Sequence, residues 1–459
     1  MKKLIALLLS LVMLLILAAC GKDDTSKNDD DDKESASQVE NKGDKTTEPG
    51  DDNKKDPVIS NEITIENLMN YPESPASDFT VTDNGDGTGT VAKYNGNAEI
   101  VVIPGELNGL KITILGKEAF AENTTLKMVR FADSIETTRE DVFKKNESLQ
   151  IAVLGSGMRE LGGGTFDRCG ALTQVTLNDG LEKIGHGCFL GCRKLQAVDF
   201  PATVKIIEYH AFDLCTSLTE VVLPNGITTL EKNCFSDCTG LKSVQIPDSV
   251  TVIEEGCFYK CENLVNVNIP DSVTALSYTT TPAGDVDGAF ENCYALEQIC
   301  LPAGLESIGD DCFSSCWKLK SIEIPAGVTV IRDDVFSCCY ALEQITLHDS
   351  IVKIGRSSFS SCDKLTSITL PAAVKEIEDM AFGQCDMLTH VVIPEGTEAI
   401  GHSCFFKCES LVSVEIPSSV TEIGADIFKD CPENAVIIGV AGSYAEQYAN
   451  ENGITFQAK

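Results

Sequence analysis

The chain has 459 residues, with 36 Lys and Arg against 70 Asp and Glu, a formal charge of −34 at pH 7. So acidic a surface repels phosphates and excludes nucleic acid as a partner. It keeps an exposed protein soluble, but it does not name a ligand.

Met1-Lys2-Lys3 is followed by an apolar run from Leu4 to Leu17, broken only by Ser10. A positive start, a short apolar core and small residues before a cut site read as a secretory leader over residues 1–19, too short for a permanent span. Leu17-Ala18-Ala19-Cys20 resembles a lipobox. That likeness implies acylation of Cys20 and a membrane partner through the lipid, on the outer face of a bacterial membrane. Residues 20–60 then carry the acidic run Asp29 to Asp32 and almost no apolar residue. Such a stretch cannot bury enough surface to offset the entropy of ordering it, and reads as a tether.

Residues 61–108 read as an N-terminal cap. Two alternating runs flank Asp83-Asn84-Gly85-Asp86-Gly87, a hairpin signal. Calcium is a weaker reading, because Gly85 and Gly87 stand where a calcium loop needs side-chain oxygens. From there to residue 434 a repeat takes over. Phenylalanine recurs every 23 residues from Phe120 to Phe258 and again from Phe290 to Phe428, fourteen marks in all, with one jump of 32. Three residues after the Phe stands Cys in the last twelve units and Asn in the first two (Asn123, Asn146); six after it stands Leu in thirteen. A strand-like alternation closed by Pro follows, as in Leu241-Lys-Ser-Val244-Gln-Ile246-Pro247, then a second apolar pair, Val250 and Ile253. One unit cannot bury its own apolar side, so the units must stack.

This unit, Cys-x-x-Leu-x-x-Val-x-Ile-Pro-x-x-Val-x-x-Ile-(Gly)-x-x-x-Phe, resembles the leucine-rich repeats of bacterial BspA-type surface proteins. The resemblance implies a strand-dominated leucine-rich-repeat solenoid of the α/β class, about 14 coils, with a strand ladder on one side. It also implies adhesion or protein interaction at the cell surface and no catalytic residues. The fit is poorest between Phe143 and Phe166, where Leu154-Gly155 replaces Ile-Pro. Residues 435–459 form a C-terminal cap. Ser443-Tyr-Ala-Glu446 predicts a capping box opening a short helix, Gly453 closes it, and Ile454-Thr455-Phe456 adds a strand.

Of the twenty cysteines, twelve sit in the repeat column, five directly precede the Phe (Cys188, Cys234, Cys257, Cys312, Cys404), and Cys20, Cys300 and Cys338 remain. A residue that alternates with Asn at an inward turn reads as a buried filler or weak hydrogen-bonding group. Disulfides, and zinc at Cys234, Cys238, Cys257 and Cys261, stay open as alternatives. The five histidines fall in no His-Glu-x-x-His or Gly-x-Ser-x-Gly context, and Gly162-Gly163-Gly164 follows no phosphate-binding pattern. The acid pairs Asp310-Asp311 and Asp333-Asp334 read as a solvated edge. The expectation is therefore a binding module without cofactor or metal, acting as a monomer.

Two surfaces compete for the ligand. One is the polar ribbon on the outer side of the strands, including Gln298, Ser321 and Gln344. The other is local: the residue after the repeat Cys is usually polar, but is Tyr294, Trp317 and Tyr340 in three consecutive units. A nine-residue insertion within Ser277 to Gly288, carrying Tyr278, directly precedes them. Exposed aromatics are the residues that dominate binding hot spots. An extracellular protein is the expected partner, with a glycan captured on the aromatic stripe as the alternative.

Overall fold

The computed structural model describes residues 64–278 and 287–459. The leader, Cys20, the tether and most of the insertion lie outside those residues, and for Tyr278 only the backbone is described.

Most coils contain two short strands where the sequence predicts one. In Ser243–Gln245 the central Val244 is buried and its neighbours are partly open. This strand pairs in parallel register with Glu220–Val222 and Asn266–Asn268. The second apolar pair makes the other ladder. Val250 and Ile253 are fully buried, and Val252–Glu254 pairs in parallel with Thr229–Leu230 and Ala275–Tyr278. Anchoring Ile253 inward lays the backbone of one coil along the next, and buried backbone groups must then pair across the gap. Among the described residues there are sixteen turns, from Ile100–Val102 to Thr455–Ala458, when the strandless turn at residues 197–199 is counted. The two beyond the expected fourteen lie at the ends, where Tyr94 stacks on Phe120 at 5.0 Å as a substitute spine ring.

The spine is a continuous aromatic stack. From Phe143 to Phe405 successive rings lie 5.0 to 5.8 Å apart with interplanar angles of 4° to 14°. The chain turns on both sides of each ring. Residues two before and two after it take left-handed backbone, as Asn233 (φ 53) and Asp237 (φ 52) do around Phe235. That conformation costs a non-glycine residue about 1–2 kcal/mol. It is offset because it aims the N–H groups of one turn at the carbonyls of the next: Phe235 N–H donates to Cys257 O at 2.9 Å and Asp237 N–H to Tyr259 O at 2.7 Å.

The cysteine column has its reason in the same turn. Every repeat cysteine from Cys169 to Cys431 donates its S–H to the carbonyl of the preceding coil's Phe, at 2.9 to 3.4 Å. Asn146 does the same with its amide, Nδ2 to Phe120 O at 2.7 Å. Cys and Asn interchange there because both are small and both donate. Burial pushes the column thiols up, Cys385 to about 12, so they stay protonated donors.

The irregular coil is not the one the sequence suggests. Ile151–Val153 pairs on both sides, and Gly155 fits because a Cβ there would lie 2.2 Å from Ala132 O. The first ladder breaks instead at residues 197–199. Beside that break Phe200 replaces the usual aliphatic residue before Pro, and its ring meets Phe212 edge-on at 5.5 Å.

Both ends are covered. At the N-terminal end Phe79–Asp83 pairs antiparallel with Thr88–Tyr94, around a turn in which Asp83 and Asp86 accept from Gly85 N–H and Thr88 N–H. A helix the sequence reading missed, Ile65–Met69, is N-capped by Thr64. It buries Leu68 against Val102, Met128, Ile151 and Val153 on the outer side of the first ladder. At the other end Tyr444–Glu451 is helical and buries Ala445, Tyr448 and Ala449, whereas Tyr444 stays exposed. The predicted capping box does not form. Ser443 makes no side-chain cap bond, and Glu446 accepts instead from Gly442 N–H at 2.6 Å. Gly453 (φ 67) ends the helix with Ile454 N–H donating to Ala449 O. Thr455–Ala458 then adds the last parallel strand.

Candidate binding surface

The three aromatic residues singled out by the sequence come together. Tyr294 and Trp317 stack with centroids 3.9 Å apart and planes 23° apart, and Tyr340 continues the column at 6.0 Å, tilted by 42°. Their position, four residues after the spine Phe, lies just past the turn, where the chain leaves the core. Trp317 is 43% and Tyr340 40% exposed. Neighbouring coils hold Thr239 and Glu262 before the column and Asp363 and Asp386 after it, so the aromatic surface is confined to three coils.

The ribbon is polar as expected: Gln298, Ser321 and Gln344 are all exposed along one register of the first ladder, with Cys300 on the same outer side. At the N-terminal end the same side of the ladder is apolar and is closed by the helix Ile65–Met69. Isolated apolar residues interrupt the open part, Val222 at 49% and Val392 at 57% exposure.

The acid pairs have a structural task. Asp310 Oδ1 accepts from Asp333 N–H, Asp333 from Arg356 N–H, and Asp379 from His402 N–H, each reaching one coil ahead. In other coils a Glu four residues before the Phe reaches one coil back, as Glu208 does to His186 N–H at 2.9 Å. Crowding follows. Burial first, then the charges of Glu291, Asp334, Asp310 and Asp333, push the Asp311 carboxyl up to about 7.

The four cysteines of the zinc alternative are fully buried, and burial pushes each thiol far above its usual range. Cys238 and Cys261 are engaged as S–H donors to Phe212 O and Phe235 O, the opposite of the thiolate that zinc takes. Among the described residues no group of three or more His, Cys, Asp or Glu is placed to hold a metal ion.

Parallel ladders, a buried aromatic spine and turns locked coil to coil define the class, a leucine-rich-repeat solenoid. The sequence pattern of the BspA type leucine-rich repeat region, in six copies, matches residues 94–218, 159–280, 286–400 and 375–453, and the chain belongs to that family. A leucine-rich repeat protein from Bacteroides ovatus is 27% identical and superposes with a TM-score of 0.62, covering 79% of this chain and 98% of its own. The pneumococcal vaccine antigen PcpA shares the fold at 18% identity and a TM-score of 0.52, covering 83% of this chain and 96% of its own. A leucine-rich cell surface protein from Faecalibacterium prausnitzii is 25% identical with a TM-score of 0.49, over 83% of this chain and 98% of its own. No curated protein matches the chain.

Proposed function

We propose that this protein is a lipid-anchored interaction module of the bacterial surface. On this reading it binds an extracellular protein through Tyr294, Trp317 and Tyr340, together with Tyr278 and the insertion that precedes them in sequence, and carries out no catalysis. Family membership supports the interaction role, and the leader with Leu17-Ala18-Ala19-Cys20 supports the anchor. The observation that carries the site is the half-exposed aromatic column, in a position that neighbouring coils fill with polar residues.

The stacking geometry favours a protein over a glycan. A sugar packs on the open face of a ring, but the inner faces of Tyr294 and Trp317 cover one another at 3.9 Å, and Tyr340 flanks the other side of Trp317. Apart from the outer faces of the two end rings, edges and rims remain, which suit side-chain packing. The test uses the full mature chain against a panel of matrix proteins and glycans. Trp317→Ala should weaken binding by at least about 2 kcal/mol, while Gln298→Ala with Ser321→Ala and Gln344→Ala changes little. Contact by aromatic area should also survive moderate salt. Unchanged affinity in a folded Trp317→Ala chain removes the column and leaves the ribbon as the site.

A further inference from the structure

The second ladder carries two grooves that recur at the same repeat positions. One, of about 500 Å³, includes Gly162, Gly185, His186 and Glu208 in its lining; the other, of about 530 Å³, includes Glu378, Gly401, His402 and Gly424. Each floor is a pair of glycines four residues before the spine Phe in adjacent coils. Among complete units the repeat places two glycines in succession there only at Gly162/Gly185 and Gly401/Gly424. The close approach of coils explains the residue type. A Cβ on Gly185 would lie 2.7 Å from Gly163 N, and one on Gly401 or Gly424 would lie 2.4 Å from the preceding coil's backbone N. A depression lies over each pair, and in each a histidine follows a floor glycine, the second of the pair at His186 and the first at His402.

The wall chemistry narrows the ligand. The His186 ring lies over Gly163, where a Cβ would come within 2.2 Å of it, and it stacks on Tyr209 at 5.2 Å. Tyr209 is 46% exposed. Around this groove Lys117 pairs with Glu140 and Lys183 with Glu160 and Glu208, and with Arg139 the charges balance. In the other groove Arg356 is outnumbered by acids, and His402 Nδ1 accepts from Ala425 N–H at 2.9 Å, which leaves its second ring nitrogen to donate outward. No excess of cations exists in either to hold an anion, on a chain of −34. The lining is too polar for an apolar ligand. What remains common to both is an uncharged ligand dense in hydroxyls, each able to donate and accept. Strands repeat at about 5 Å, a step close to the length of one linked pyranose unit, so a saccharide chain running along the ladder meets one coil's side chains per sugar unit.

We infer that these grooves are two sites for a neutral saccharide, separate from the aromatic column and independent of what that column binds. His186 and His402 lie nine coils apart, so a long polymer of identical units engages both at once and gains by effective concentration. Isothermal titration of the full mature chain with maltohexaose, cellohexaose and chitohexaose tests this. At least one of the three should bind with two sites per chain. His186→Ala and His402→Ala should each reduce this to one, the double variant to none, and Trp317→Ala should leave it at two. Binding of none of the three overturns the inference. So does stoichiometry unchanged in the folded double variant, or binding lost only in Trp317→Ala, which would return sugar recognition to the column.

Discussion

Two aromatic columns run along this solenoid, one inside and one outside, and they are built by the same repeat. The inner spine stacks Phe290, Phe313 and Phe336 at 5.7 Å steps; the outer column stacks Tyr294, Trp317 and Tyr340 at 3.9 and 6.0 Å in those same coils. Any residue placed at one repeat position is carried next to its equivalent in the following coil, so stacking alone is no evidence of a ligand. The difference lies in solvent. Spine rings are buried in every unit but the last, where Phe428 is partly open, while the outer rings are half-open and occur in three. The inner column is what the coils need in order to stack; on the proposed function the outer one is surplus to folding.

The largest effect that could break this comparison is at the spine. Phe235→Ala in mid-stack should cost about 3–5 kcal/mol, through lost transfer energy plus a cavity, measured by denaturant unfolding. Phe428→Ala should cost clearly less, because that ring is only partly buried and meets Phe405 edge-on at 6.2 Å. Equal costs would mean that the stack is not the cooperative element.

Smaller changes probe the turns around the spine. Cys238→Ala should cost about 1–3 kcal/mol by removing a buried donor and its volume. The seventeen cysteines of the two repeat columns should all alkylate after denaturation without reductant, since each is a thiol here; widespread protection would point to disulfides. Asp311 gives a pH signature. Its folded carboxyl is raised to about 7 from the ordinary 3.8, so the native state binds the extra proton and stability falls as pH rises between about 4 and 7. Asp311→Asn keeps a side chain tolerant of the left-handed backbone (φ 54) and should be more stable than the parent at pH 8. The gain should vanish near pH 4; a gain independent of pH would refute the crowding of carboxylates.

Period and pattern made much of the fold readable. The 23-residue spacing marks the spine, and the Cys/Asn alternation at one position already implies a small donor, which is the S–H···O=C bond found at Phe carbonyls. The second ladder was harder to see because Val250 and Ile253 are separated by two residues and show no alternation of period two. Helix Ile65–Met69 hides in a five-residue segment too short for a periodic signal, although outward Met128, Ile151 and Val153 in strands otherwise polar on that side could have betrayed it. The capping box failed because the Ser443–Glu446 pattern gives the spacing but not which N–H the carboxylate reaches. Of the candidate site, the aromatic column was legible as a break in a polar position. The grooves were not, since residues from several coils shape them; paired glycines four before the Phe were their only sequence trace.

One coil tests the central distinction most directly, because Phe313 and Trp317 stand four residues apart in it, one ring in the spine and the other in the outer column. Urea unfolding of Phe313→Ala and Trp317→Ala, side by side on the full mature chain, compares them. The spine variant should lose about 3–5 kcal/mol, and the outer variant no more than the worth of an aromatic pair, about 0.5–1.5 kcal/mol. A Trp317→Ala loss as large as that of Phe313→Ala would make the outer column a structural brace and contradict its reading as spare binding surface.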